Sequence, residues 1–136
     1  MKKTAIVLSL ILSAFIISSC AENNPNDPKI TLAQRVGNYE GDMLGTKLIM
    51  VFDDQGQVTK IDFGGLDFST IGEMPVKVGD PNSTAKNYDF NVKMKNNGGT
   101  VNVKVNFDSD TEATGGKAYV TIMEGQPAQE VIITKV

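Results

Sequence analysis

The sequence predicts an all-β domain: an antiparallel meander closing into a small up-and-down β-barrel or, on the same elements, a two-sheet β-sandwich. Two observations carry that expectation. Residues 87–108 alternate apolar and polar side chains on both sides of an Asn- and Gly-rich turn at 96–99, with Tyr88, Phe90, Val92 and Met94 answered by Val101, Val103, Val105 and Phe107. Elsewhere, apolar runs of strand length recur between Gly, Asn and Asp clusters, and no stretch reads as a helix of ordinary length. Sequential hairpins favour the meander, and closure removes sheet edges that invite aggregation.

The N-terminus stands apart from that domain. Lys2 and Lys3 make a short basic start, residues 5–17 an apolar stretch too short to span a bilayer comfortably, and Ile17-Ser18-Ser19-Cys20 the end of a secretory signal. Those four residues resemble a bacterial lipobox, which implies cleavage before Cys20 and lipidation of its thiol and new amino end. The plainer alternative is an ordinary cysteine beside a standard cleavage site. Cys20 is the only cysteine, so it has no disulfide partner within the chain. Residues 1–19 are thus expected to be a signal peptide, 20–34 a tether rich in Asn and Pro, and 35–136 the barrel domain.

Within the domain, residues 30–36 form either one helical turn or a lead-in segment. Gly37-Asn38-Tyr39-Glu40-Gly41 opens the first strand, and glycines flanking an aromatic suit a strand that must bend. Residues 46–52 follow, with Leu48, Met50 and Phe52 on one face and Ile49 and Val51 on the other, a pattern of deep covering. After a turn at 53–56, residues 57–63 return, with Phe52 expected opposite Thr59, Met50 opposite Ile61 and Leu48 opposite Phe63. Residues 66–78 are irregular yet carry Leu66, Phe68, Ile71, Met74 and Val76. That is too apolar for a free loop, so the segment is expected to pack over one end or edge of the sheet. In the central hairpin, pairing Lys95 with Thr100 sets Met94 opposite Val101, Val92 opposite Val103, Phe90 opposite Val105 and Tyr88 opposite Phe107. Strands at 117–123 and 130–136 complete the meander.

Composition narrows the chemistry. Histidine is absent, so neither a Ser-His-Asp nor a Cys-His arrangement can be built, and imidazole metal sites are excluded. The acidic loop Asp108-x-Asp110-x-Glu112 has Ala113 where a calcium loop of the helix-loop-helix kind wants glycine, and it reads as a solvated turn with no metal. No cofactor motif is present, and a non-catalytic protein is expected. Removing the leader takes away two lysines and no carboxylate, moving the net charge from −3 to −5, which argues against nucleic acid as a partner.

From about residue 35 to the last strand, the chain resembles the calycin-like, lipocalin-like lipoprotein domains common in Bacteroidetes. The lipobox, the short Asn-rich tether, the opening GNYEG, the hairpin-rich middle and the final strand EVIITKV carry the likeness. Gly37-Asn38-Tyr39 also resembles the Gly-x-Trp that opens the first strand of lipocalins, with Tyr39 in place of Trp. The resemblance implies a barrel on a lipid anchor in the cell envelope, at the outer membrane, on its periplasmic or its surface face. Two classes of function then stand open. One is a small-ligand or glycan-fragment binding module with its site at the barrel mouth, where Tyr39, Phe68, Met74, Tyr88 and Tyr119 are the candidate contacts. The other is a structural or protein-contacting envelope component whose core is simply filled.

Overall fold

The computed structural model describes residues 28–43, 45–96 and 98–136. The expected signal peptide, Cys20 and most of the expected tether lie outside the described residues.

The domain is all-β. A short 3-10 turn, Leu32–Arg35, leads into strands β1 (Gly37–Met43), β2 (Thr46–Phe52), β3 (Gln57–Phe63) and β4 (Leu66–Asp67), a single helical turn α1 (Phe68–Ile71), and β5 (Val76–Lys77). Strands β6 (Asn87–Lys93), β7 (Thr100–Phe107), β8 (Gly115–Thr121) and β9 (Gln129–Lys135) follow. The sheet order is β4-β3-β2-β1-β9-β8-β7-β6, every pairing is antiparallel, and the sheet curls into a half-barrel. Two meanders are therefore zipped together by the first and last long strands, with Tyr39 opposite Lys135 and Gly41 opposite Ile133. Gly41 permits this: a Cβ there would run into the Ile132 carbonyl oxygen and the Val131 side chain.

The remaining gap, between β3 and β6, is crossed by residues 66–78, which pack over this edge of the sheet as the apolar content of the segment implied. β5 pairs with β3, Gly72 bridges Met94, the Glu73 amide donates to the Lys93 carbonyl, and the Lys95 amide donates to the Ile71 carbonyl. Asp67 caps α1 by accepting from the Ser69 amide and hydroxyl, and these bonds hold its carboxyl below the usual range.

Alternation of side chains places the core. Leu48, Met50, Val58, Val92, Val103, Val105 and Ala118 are fully buried, and Phe52, Ile61, Val120, Val131 and Ile133 nearly so. These side chains fill the interior themselves, as in other small barrels. Ile49 and Val51 are only half-buried, so the second face of β2 is less covered than its composition implies.

Two expected registers need correction. In the central hairpin Lys93, not Lys95, faces Thr100; Val92 faces Val101, Phe90 faces Val103 and Tyr88 faces Val105. The shift is two residues, and because the side-chain period of a strand is two, it leaves every apolar residue on the same face. Alternation is blind to it. Its physical cause lies at the end of β6, where the Met94 amide donates to the Gly99 carbonyl at 2.7 Å, Gly72 bridges Met94 and the Lys95 amide donates to the Ile71 carbonyl, so the ladder runs on from Lys93 and Thr100 and Lys95 is turned to the crossing segment. In the other hairpin Leu48 and Met50 face Phe63 and Ile61 as expected, but a bulge between Val51 and Phe52 sets Phe52 opposite Val58 rather than Thr59. There the turn decides: Asp53 accepts from the amides of Gln55 and Gln57, and Gly56, at φ +74°, sits under the Gly79 carbonyl.

Candidate functional site

The antiparallel order gives the barrel two rims. β1, β3, β6 and β8 run away from the rim where residue 30 joins the fold, and β2, β7 and β9 return to it. The near rim therefore collects residues 30–36, the turn 53–56 and the loops 78–86 and 108–114. The far rim collects the β1–β2 and β6–β7 connections, the turn at 64–65 and the loop 122–128.

The near rim is plugged. The Thr31 and Gln34 side chains form a reciprocal capping box over the 3-10 turn. The segment is then stitched to two loops: Ile30 donates to the Asp110 carbonyl, Leu32 to the Ser83 carbonyl and Ala33 to the Pro81 carbonyl, at 2.8, 2.8 and 2.9 Å. Residues 30–34, placed in the tether by composition, are thus partly built into the domain, with Leu32 fully buried. The acidic loop takes part in this stitching: Asp110 accepts from Ile30 through its carbonyl and pairs with Lys29 at 3.7 Å.

Beneath the plug lies an aromatic cluster. Tyr39, Phe52 and Phe107 meet edge to face with centroids 5.3 to 5.7 Å apart, and Tyr88 reaches Phe107 at 6.2 Å. Such pairs contribute about 0.5–1.5 kcal/mol each beyond burial. The Arg35 guanidinium stacks 4.3 Å over the Phe107 ring and donates to the Ser109 carbonyl at 2.8 Å. Its Nε and Nη1 are buried without a hydrogen-bond partner. Burial lowers the Arg35 pKa, opposed by the fields of Tyr39, Tyr88 and Asp110, and the side chain remains a cation. The Tyr39 hydroxyl donates to the Arg35 carbonyl at 2.8 Å, and burial pushes its pKa up to about 12 against the pull of the guanidinium.

The five candidate contacts do not converge on one mouth. Tyr39 and Tyr88 belong to the packed near-rim cluster, with the Tyr88 hydroxyl near Ser83. Phe68, the first residue of α1, is buried, Met74 is half-buried in the crossing segment, and Tyr119 points outward between the inward-facing Ala118 and Val120. Among the described residues, no group of three metal-capable side chains gathers, and no helix is long and apolar enough to cross a membrane.

Open space lies instead on the outside, toward the far rim. A groove of about 770 Å³ runs over the outer face of β6, β7 and β8, with Asn91, Asn102 and Thr121 as its floor and Ile122 and Met123 on its wall. Asn91 faces Asn102, and Asn102 faces Thr121, so the three stand in one row across the sheet. The Asn102 amide donates to Asp89 Oδ1 at 2.7 Å and to Asn91 Oδ1 at 2.9 Å. Both of its hydrogens are thereby committed and its orientation is fixed. The next row is Asp89, Lys104, Tyr119 and Glu130, with Lys104 3.9 Å from Asp89.

Sequence reasoning missed this row, and it missed Arg35. A signal existed for each. Asparagine is depleted in strands, yet Asn87, Asn91, Asn102 and Asn106 occupy the outward positions of one hairpin. Arg35 is the only arginine of a chain whose other cations are lysines, which marks a position that needs a planar guanidinium. Compared with family models, with curated proteins and with solved structures, the chain matches none.

Proposed function

We propose that this chain is a non-catalytic lipoprotein module of the cell envelope, of calycin-like type, tethered through Cys20 and working by contact on its outer wall and far rim. The observation that carries the reading is the contrast between a self-filled, plugged interior and an open groove at the rim opposite the point where the tether joins the fold. A barrel that carries a ligand inside needs a lined cavity of a few hundred Å³. Here the candidate mouth residues Tyr39, Phe68 and Tyr88 are packed against their neighbours, so they are read as structure, and contact passes to the outer surface.

The anchor rests on Ile17-Ser18-Ser19-Cys20. Each buried methylene adds about 0.8 kcal/mol of membrane affinity, so several acyl chains hold a protein of this size firmly. Labelled fatty acid is expected in the wild type and not in Cys20→Ala, and equal labelling of the two would sink the reading. A second reading, an envelope protein as partner, is favoured by exposed apolar side chains at the same rim: Leu66, Ile122 and Met123 are 50, 42 and 61% exposed.

A further inference from the structure

We infer that the groove over Asn91, Asn102 and Thr121 is a binding site for an extended, uncharged oligosaccharide. The inference rests on the outer-wall reading above and names its ligand.

Asn91 lines two depressions at once. On one side lies the groove walled by Ile122 and Met123; on the other lies a groove of about 510 Å³ between the crossing segment, at Met74 and Val76, and the end of β6, at Lys93 and Lys95. The two share Asn91 as a lining residue, so a ligand that engages both is a chain of units rather than a compact molecule. Together they are balanced in charge, with Glu124 in the first groove and Glu73, Lys93 and Lys95 in the second. A polyanion gains little there, and among the described residues no carboxylate cluster offers a metal its ligands.

The floor chemistry selects further. With Asn102 donating to both Asp89 and Asn91, its own carbonyl oxygen, the Asn91 amide hydrogens and the Thr121 hydroxyl are left as acceptor, donors and mixed group, side by side at strand spacing. A sugar ring presents both kinds of partner through its hydroxyls, and its C–H face fits the exposed Ile122 and Met123. Tyr119, two residues along β8 from Thr121 and on the same face, extends the apolar surface at one flank. Over β7 and β8 a peptide is less well served, because their backbone is already paired on both sides; β6, at the end of the sheet order, keeps an edge, and the peptide arm of the test addresses it. Two of the outward asparagines of the hairpin, Asn91 and Asn102, also acquire a reason: a merely solvated wall would be better built from threonine and lysine.

The test is an NMR titration of the isotopically labelled chain from residue 20 onward with cellotetraose, chitotetraose and mannotetraose, each to millimolar concentration. At least one is expected to shift the side-chain amide signals of Asn91 and Asn102 saturably, together with Thr121 and Met123. Asn102→Ala should weaken that binding at least tenfold while the melting temperature moves little. No saturable shift with any tetrasaccharide, shifts centred on the near rim, or equal binding by Asn102→Ala would each overturn the assignment, as would saturation of the same signals by an unrelated extended peptide. Such a failure would leave fatty-acid labelling at Cys20 untouched, whereas loss of labelling with saccharide binding intact would remove the anchor and keep the site.

Discussion

The two rims are made by the same strands and differ in almost every other respect. At the near rim, the ends of β1, β2, β6 and β7 contribute Tyr39, Phe52, Tyr88 and Phe107, which stack on one another and on Arg35 under a segment hydrogen-bonded to two loops. At the far rim the loop between β8 and β9 exposes Met123 and Ile122 and borders a groove. The difference teaches where each kind of pressure falls on a small barrel. One end concentrates aromatic burial and stabilises the fold, and the other, relieved of that task, keeps polar groups in the open where a partner can reach them.

The sharpest way to break this contrast is to truncate one side chain at each rim. Phe107→Ala removes a ring that touches Tyr39, Phe52, Tyr88 and Arg35, and should cost about 3–5 kcal/mol in a urea melt. Met123→Ala should stay within about 0.5 kcal/mol. Comparable losses would mean that the far rim also stabilises the fold.

A smaller effect comes from Tyr39→Phe, which deletes the hydroxyl bonded to the Arg35 carbonyl and should cost about 0.5–1.5 kcal/mol at neutral pH. The pH dependence has a definite sign. The folded-state value is raised to about 12, above the ordinary tyrosine value near 10, so the neutral hydroxyl is favoured in the fold. Its contribution is fully present below about pH 10 and is lost as pH rises through about 12, so the gap between wild type and Tyr39→Phe should narrow over that window. A gap independent of pH would show that the hydroxyl is not the group held neutral.

Smaller still in energy, but decisive for the shape of the far rim, is the hairpin register. In a Cys20→Ser background, Lys93→Cys with Thr100→Cys should oxidise readily to a cross-link, since the two residues are directly opposed. Lys95→Cys with Thr100→Cys should cross-link poorly; mass spectrometry after mild oxidation would separate them. The reverse order would restore a tight turn at 96–99 and redraw the rim. Least of all, Asn102→Ala should change stability by no more than about 0.5 kcal/mol, because its partners Asp89 and Asn91 are exposed and can turn to water.

Much of the fold was legible because it rests on period-two alternation. That pattern alone puts Val92, Val101, Val103, Val105 and Phe107 inside, and it implies the strands on either side. What it could not carry was register to better than two residues, since Phe90 faces Val103 or Val105 with equal satisfaction of the pattern. In the fold the Met94 amide bonds the Gly99 carbonyl while Met94 and Lys95 also engage residues 72 and 71, the latter a contact between distant segments with no local signature. Phe52 moved to Val58 for a related reason, as the Asp53 turn fixed its own geometry. The site was less legible than the fold. Aromatic residues were sought as a platform, but Tyr39 and Tyr88 proved to be core, and of the three tyrosines only Tyr119 faces outward. The groove instead consists of polar residues that alternation assigns to solvent and then ignores.

The pairing of β1 with β9 reaches into the timing of folding. Tyr39 and Gly41 wait for Lys135 and Ile133, so the contact that zips the two meanders spans nearly the whole domain. Closing so long a loop costs only slowly more with its length, yet contacts of this separation come late, after local hairpins have formed. A chain emerging N-terminus first, from a ribosome or a membrane pore, can assemble β1, β2 and β3 and then β6, β7 and β8. Until the last strand appears, these remain two sheets with β1 and β8 as bare edges, each a template for pairing with another copy. β9 is therefore the seal of the molecule, and the interval before it docks is when the chain is most exposed to self-association.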